Sequence, residues 1–175
     1  MKFTFTSNSK EQTRKLGAII APLFVPSDVV LLKGDLGAGK TTLVGGVAEA
    51  LKVNEDVISP TFNIMKCYFK GTLPLYHIDA YRLEGQDIEL GLEEFIEGDG
   101  VTFIEWPQYI EPLWPDEYLV ISLSHKGGDA RETPELGRNF LPGLMNEPQP
   151  MTQPNAIAHT CIGESERFSE PLFSF

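Results

Sequence analysis

The chain has 175 residues, with 14 Lys and Arg against 25 Asp and Glu, and a formal net charge of −11. At 42% hydrophobic and 22% charged residues it has the balance of one soluble globular domain able to bury a core; no apolar run reaches a membrane span. The N-terminal MKFTFTSNSKEQ has no apolar segment of the signal-peptide kind, so the expected compartment is the cytoplasm.

In chain order, residues 2–6 alternate polar and apolar and read as a short strand. Ser7, Asn8 or Ser9 is placed to cap a helix running to about Leu23, with Leu16, Ile19, Ile20 and Leu23 on one face. Residues 28–33, DVVLLK, form the continuous apolar run of a strand covered on both faces. A glycine loop follows at once, and 41–51 has helical spacing. Residues 63–69 and 73–80 read as two strands joined at Lys70-Gly71, and 88–95 as a short helix loosened by Gly91. Residues 101–105, VTFIE, and 118–123 are further buried strands. From Asn139 onward the chain is rich in Pro and polar residues and has no period. The expected division is therefore a domain over 1–138 and a disordered tail over 139–175. Cys67 and Cys161 stand far apart, in no metal or redox spacing, and are expected to be unreactive thiols.

The loop at 34–41, GDLGAGKT, satisfies GxxxxGK[ST] between a strand and a helix. Glycines let successive backbone N–H groups turn toward an anion, and the following helix aims its positive end at phosphates. Lys40 is placed to meet the β- and γ-phosphates, and the Thr41 hydroxyl to ligate Mg²⁺. No NKxD base-reading motif occurs in the chain, so ATP is the expected nucleotide. Glu105 ends a buried strand, where ligands bind in open α/β folds; it either holds Mg²⁺ or polarises a water, the alternative being a strand-end acid facing solvent. Thr61, in SPTF at 59–62, is either a switch residue sensing the γ-phosphate or part of a turn before a strand. Asp79 is a second carboxylate candidate near the metal, whereas His77, with no partner His or Cys, reads as a strand residue of the core.

Residues 84–117 hold eleven acids and neither Lys nor Arg. Such a face repels phosphate backbones, which argues against direct nucleic-acid binding through it. It is either a solvated surface or a docking face for a basic partner.

Together GDLGAGKTT at 34–42, SPTF at 59–62, YHIDAYRL at 76–83, GLEEF at 91–95 and FIEWP at 103–107 resemble the TsaE (YjeE) family, small bacterial P-loop ATPases needed to make threonylcarbamoyladenosine in tRNA. The resemblance runs from about Lys2 to Arg138. It implies an α/β P-loop NTPase-like domain with a central mixed, largely parallel sheet flanked by helices. It implies ATP on Leu36, Gly37, Ala38, Gly39, Lys40, Thr41 and Thr42, with Mg²⁺ on Thr41 and Glu105 and with Thr61 and Asp79 as switch or catalytic residues. Arg131, in a disturbed version of the family's arginine motif, would lie near the nucleotide, and Lys10 near the base. The partners implied are TsaD, which transfers the carbamoyl group, and its inactive relative TsaB, with tRNA reached only indirectly. The rival reading is a P-loop small-molecule kinase, which would need arginines around the transferred phosphoryl group; the four that follow the loop form no cluster in sequence.

Overall fold

Continuous apolar runs let the central strands bury both of their faces. In the computed structural model, which describes residues 3–86, 90–127 and 130–140, strand β1 (Phe3–Ser7) leads to helix α1 (Lys10–Ile20), and β2 (Val29–Lys33) to α2 (Lys40–Ala50). Strands β3 (Met65–Tyr68) and β4 (Leu75–Asp79) precede the short helix α3 (Glu93–Ile96). Strands β5 (Val101–Glu105), β6 (Glu117–Gly127) and β7 (Ala130–Phe140) complete a seven-stranded sheet of order β1-β7-β6-β2-β5-β4-β3.

Strands β6, β2, β5 and β4 are mutually parallel. Because β1 is antiparallel to β7 and β7 to β6, β1 runs with them, leaving only β7 and β3 reversed. The sheet is thus mixed and largely parallel, as expected.

Val30, Leu32, Phe103, Leu119 and Ile121 join Leu16, Ile20, Leu43 and Val47 of α1 and α2 in one core. Their strand neighbours Val29, Leu31, Ile104 and Val120 join Leu83, Leu92, Ile96 and Ile110 in a second core on the opposite face. The two long helices share one side, while α3 and 3-10 turns at Ala80–Leu83 and Pro107–Leu113 cover the other. Phe103 is wholly buried, edge-on to Phe24; burying such a side chain contributes about 1.5–3 kcal/mol.

Ser9 caps α1 by accepting from Gln12 N, and the Gln12 side chain reaches back to Asn8 N at 2.7 Å, close to a capping box. The α-helix stops at Ile20 rather than Leu23, because Pro22 has no N–H for another turn; Ala21–Leu23 tightens into a 3-10 turn. The helix expected over 88–95 begins only after Gly91, whose φ of 63° breaks helical geometry, and covers Glu93–Ile96; 87–89 lie outside the described residues. Strand β7 has no counterpart among the predicted elements. The tail expected over 139–175 begins inside β7, which runs to Phe140; its remainder, from 141 on, lies outside the described residues.

Where α1 crosses α2, glycine is required. A Cβ on Gly46 would stand 1.9 Å from the carbonyl oxygen of Arg14. Alanine gains about 1 kcal/mol in helix propensity, but the clash is with backbone and cannot be relieved by a rotamer. Gly46→Ala is therefore expected to destabilise the fold by about 1–3 kcal/mol net, read as a lowered urea midpoint at unchanged slope.

Candidate nucleotide site

The carboxyl ends of β2, β4 and β5 open into a cleft of about 470 Å³. It is lined by Leu36, Gly37, Ala38, Gly39, Lys40, Thr41 and Thr42 from the glycine loop and the start of α2, by Ser59 and Thr61 from the loop before β3, and by Asp79, Tyr81, Glu105 and Trp106 at and just beyond the ends of β4 and β5. Gly39, at φ 102° and ψ 14°, is the N-cap of α2, and no side chain caps it. Only glycine adopts that conformation freely, and the helix's first N–H groups are left as an anion-binding end.

Lys40 is 4% exposed. Its Nζ donates to the carbonyls of Gly34 (2.7 Å) and Asp35 (3.0 Å), lies 3.8 Å from Glu105 Oε2 and sits 4.6 Å from the centre of the Trp106 ring. Burial pushes its pKa down, and the charges of Glu105, Asp79 and Asp35 restore part of that shift.

Glu105 is as deeply placed, at 4% exposure, and is therefore not the solvent-facing acid of the alternative reading. Oε1 accepts from Thr41 Oγ1 at 2.9 Å and lies 2.9 Å from His77 Nε2. Burial alone would raise the carboxyl; the hydrogen bond and charge of His77, then Thr41 and Lys40, outweigh it and hold Glu105 below the usual carboxylate range.

Asp79 is buried at the end of β4, in register with Glu105. Its Oδ2 accepts from Thr61 Oγ1 and, at 3.4 Å, from Ser59 Oγ, while its Oδ1 caps the next turn through Tyr81 N. The SPTF loop is thereby tied to a strand end.

Residues 7–133 match the family described as threonylcarbamoyl adenosine biosynthesis protein TsaE. The chain belongs to the TsaE family. The tRNA threonylcarbamoyladenosine biosynthesis protein TsaE of Bacillus subtilis (strain 168) is 47% identical over 122 residues, 70% of this chain and 77% of that protein. Its namesake from Nostoc sp. (strain PCC 7120) is 41% identical over 128 residues, 70% of this chain and 78% of the relative. The crystal structure of B. subtilis YdiB superposes with a TM-score of 0.67 at 39% identity, over 78% of this chain and 87% of that one.

In this TsaE-family chain the structure brings together the loop, Thr61, Asp79 and Glu105. It does not bring Lys10 to them: Lys10 is exposed at the first turn of α1 and is absent from the cleft lining. Arg131 stands on β7, opposite Ser7 of β1 and His125 of β6. Three cleft residues went unassigned in the sequence: Ser59, Tyr81 and Trp106. Trp106 entered the sequence reading only as part of FIEWP; it takes a left-handed conformation at φ 55°, costly for a non-glycine residue, and its ring is held between Lys40, Tyr81 and Tyr109. Each lies next to, or two residues from, an assigned residue, and that proximity was the available signal. His77 is a core residue, as read, but its partner is Glu105. Cys67 is half-buried on β3, and burial pushes its thiol pKa up, which suits an unreactive thiol; Cys161 lies outside the described residues.

Proposed function

We propose that this protein binds ATP with Mg²⁺ and hydrolyses it as a component of the machinery that makes N6-threonylcarbamoyladenosine in tRNA. It would act in the cytoplasm on an assembly of TsaB and TsaD and reach tRNA only through them. The observation that carries the reading is the convergence of Lys40, Thr41 and Glu105 at the N-terminus of α2 in one cleft, in a chain whose family bears that pathway's name.

The chain's groups suit that chemistry. The uncapped end of α2 and the Lys40 ammonium are the anion-binding elements. Thr41 and Glu105 offer hard oxygen donors, which fit Mg²⁺; this ion takes one or two protein ligands and completes its shell with phosphate and water. Among the described residues no three His, Cys, Asp or Glu converge into a closed metal cage. Bound with the nucleotide, Mg²⁺ neutralises charge on the phosphates. Glu105, held ionised, can ligate the metal or accept a proton from water. Asp79 holds Thr61, so the loop carrying Thr61 is the element whose order a partner can set. No described residue of the cleft lining is an arginine, and Arg82 lies over the exposed Phe62 ring at 4.9 Å, which gives the kinase reading no support.

The test is phosphate release with and without TsaB–TsaD. Turnover alone is expected to be slow and to rise about tenfold or more on adding the assembly; a partner's arginine can contribute 10³–10⁵, and ordering of Thr61 less. Glu93, Glu94, Glu97 and Asp99 are exposed, so docking through them weakens with salt. The double variant Glu93→Lys/Glu94→Lys should lose most of the stimulation and keep basal turnover. Fast turnover by the free chain, unresponsive to the assembly and yielding a phosphorylated small molecule, would replace this reading with the kinase.

A further inference from the structure

We propose that His77 is the positioning residue of Glu105, its Nε2–H fixing Oε1 so that Oε2 is the oxygen presented to Lys40 and the cleft. The inference rests on the hydrolytic reading above. His77 lies in the middle of β4, between Lys66 of β3 and Phe103 of β5, and is wholly buried. Its Nε2 is 2.9 Å from Glu105 Oε1. An ionised carboxylate only accepts, so the proton of this bond sits on Nε2. The other ring nitrogen, Nδ1, has no hydrogen-bond partner among the described residues. A buried unpartnered nitrogen is a cost that an apolar residue at this position would avoid. The bond to Glu105 is what histidine adds there.

Two donors, His77 and Thr41, meet on Oε1, while Oε2 stands 3.8 Å from Lys40 Nζ. Two donors on one oxygen set the rotation of the carboxylate. They are not equivalent. Thr41 lines the cleft, and its hydroxyl is one of the groups a bound ligand engages; His77 does not line the cleft. Its grip on Oε1 is therefore independent of what the cleft holds. This is the arrangement by which an outer residue orients a metal-binding or proton-accepting group, and losing such a partner typically costs about 10–100-fold in activity or metal affinity.

Glutamine and asparagine separate this role from packing. The amide nitrogen of glutamine can reach the place of Nε2, whereas that of asparagine reaches only the place of Nδ1. Three quantities are measured on the full chain: melting temperature, nucleotide affinity with and without Mg²⁺, and kcat and KM for phosphate release in the presence of TsaB–TsaD. In His77→Asn, kcat and the Mg²⁺-dependent gain in affinity are each expected to fall about tenfold or more, with Mg²⁺-free affinity unchanged. His77→Gln should recover both to within about threefold of the wild type. Equal values in two folded variants, whether both intact or both impaired, would overturn the proposal. If His77→Asn does not fold, His77→Gln decides, and a tenfold loss in that folded variant overturns it. A wild-type protein that binds Mg²⁺ and nucleotide but releases no phosphate under any condition would fail the hydrolytic reading, while the Mg²⁺-dependent affinities of the two variants would still judge His77.

Discussion

Replacing Lys40 by alanine is expected to remove nucleotide-dependent activity and to weaken nucleotide binding by about 10²–10³-fold, the loss typical of truncating one member of a buried charge pair. The ammonium is held by the loop's own carbonyls at 2.7 and 3.0 Å and screened from water beneath the Trp106 ring. In the proposed function it would exchange carbonyl partners for phosphate oxygens, with no charge to bring in from solvent. Arginine would not restore function, since its planar fork does not fit a socket built round a point charge. The substitution also withdraws a cation from beside Glu105, so the carboxyl of that residue should move upward. Titration calorimetry with ATP, with a circular-dichroism melt to establish folding, checks the result. Binding within threefold of the wild type in a folded variant would remove the phosphate role from Lys40.

The second large effect belongs to Glu105→Gln, which keeps the shape and removes the charge. ATP binding should stay within about tenfold, since the loop and Lys40 are intact, while phosphate release falls about 10²-fold, a typical loss for a positioned acid–base group. Near-normal turnover would sink the assignment. The same pair of proteins predicts a pH dependence. The carboxyl of Glu105 is held below its ordinary value of 4.5. Its ionised form therefore contributes stability that is present above that value and is lost as pH falls through the lower, folded-state value. The stability gap between wild type and Glu105→Gln should be full at neutral pH and close below about 4.5, measured by urea unfolding at each pH. A gap that widened on acidification would mean that the carboxyl titrates above, not below, its ordinary value.

The sequence by itself determined the parts whose signals are local. The run DVVLLK and the helical spacing after the glycine loop predict β2 and α2, and each stands within a residue of its expected place. VTFIE is likewise β5 over the residues expected. These segments are legible because period and turn chemistry act between near neighbours. Only the tertiary structure decided β7. Its segment ARETPELGRNF has no apolar alternation and contains a proline, which a ladder does not accept. Yet it lies between β1 and β6, and the register slips against both so that Pro134 pairs with neither. That pairing is long-range for β1, and nothing in the eleven residues announces it. The site was decided in the same way. Lys40, Thr41, Asp79 and Glu105 can each be nominated singly, but Thr41 and Glu105 are 64 residues apart, and His77 and Glu105 are 28. They meet because β4 and β5 pair in parallel with Asp79 opposite Glu105, and because α2 begins where β2 ends beside them. An apolar run tells that a strand is buried; strand order and register tell which strand is its neighbour, and that neighbour makes His77 the partner of Glu105.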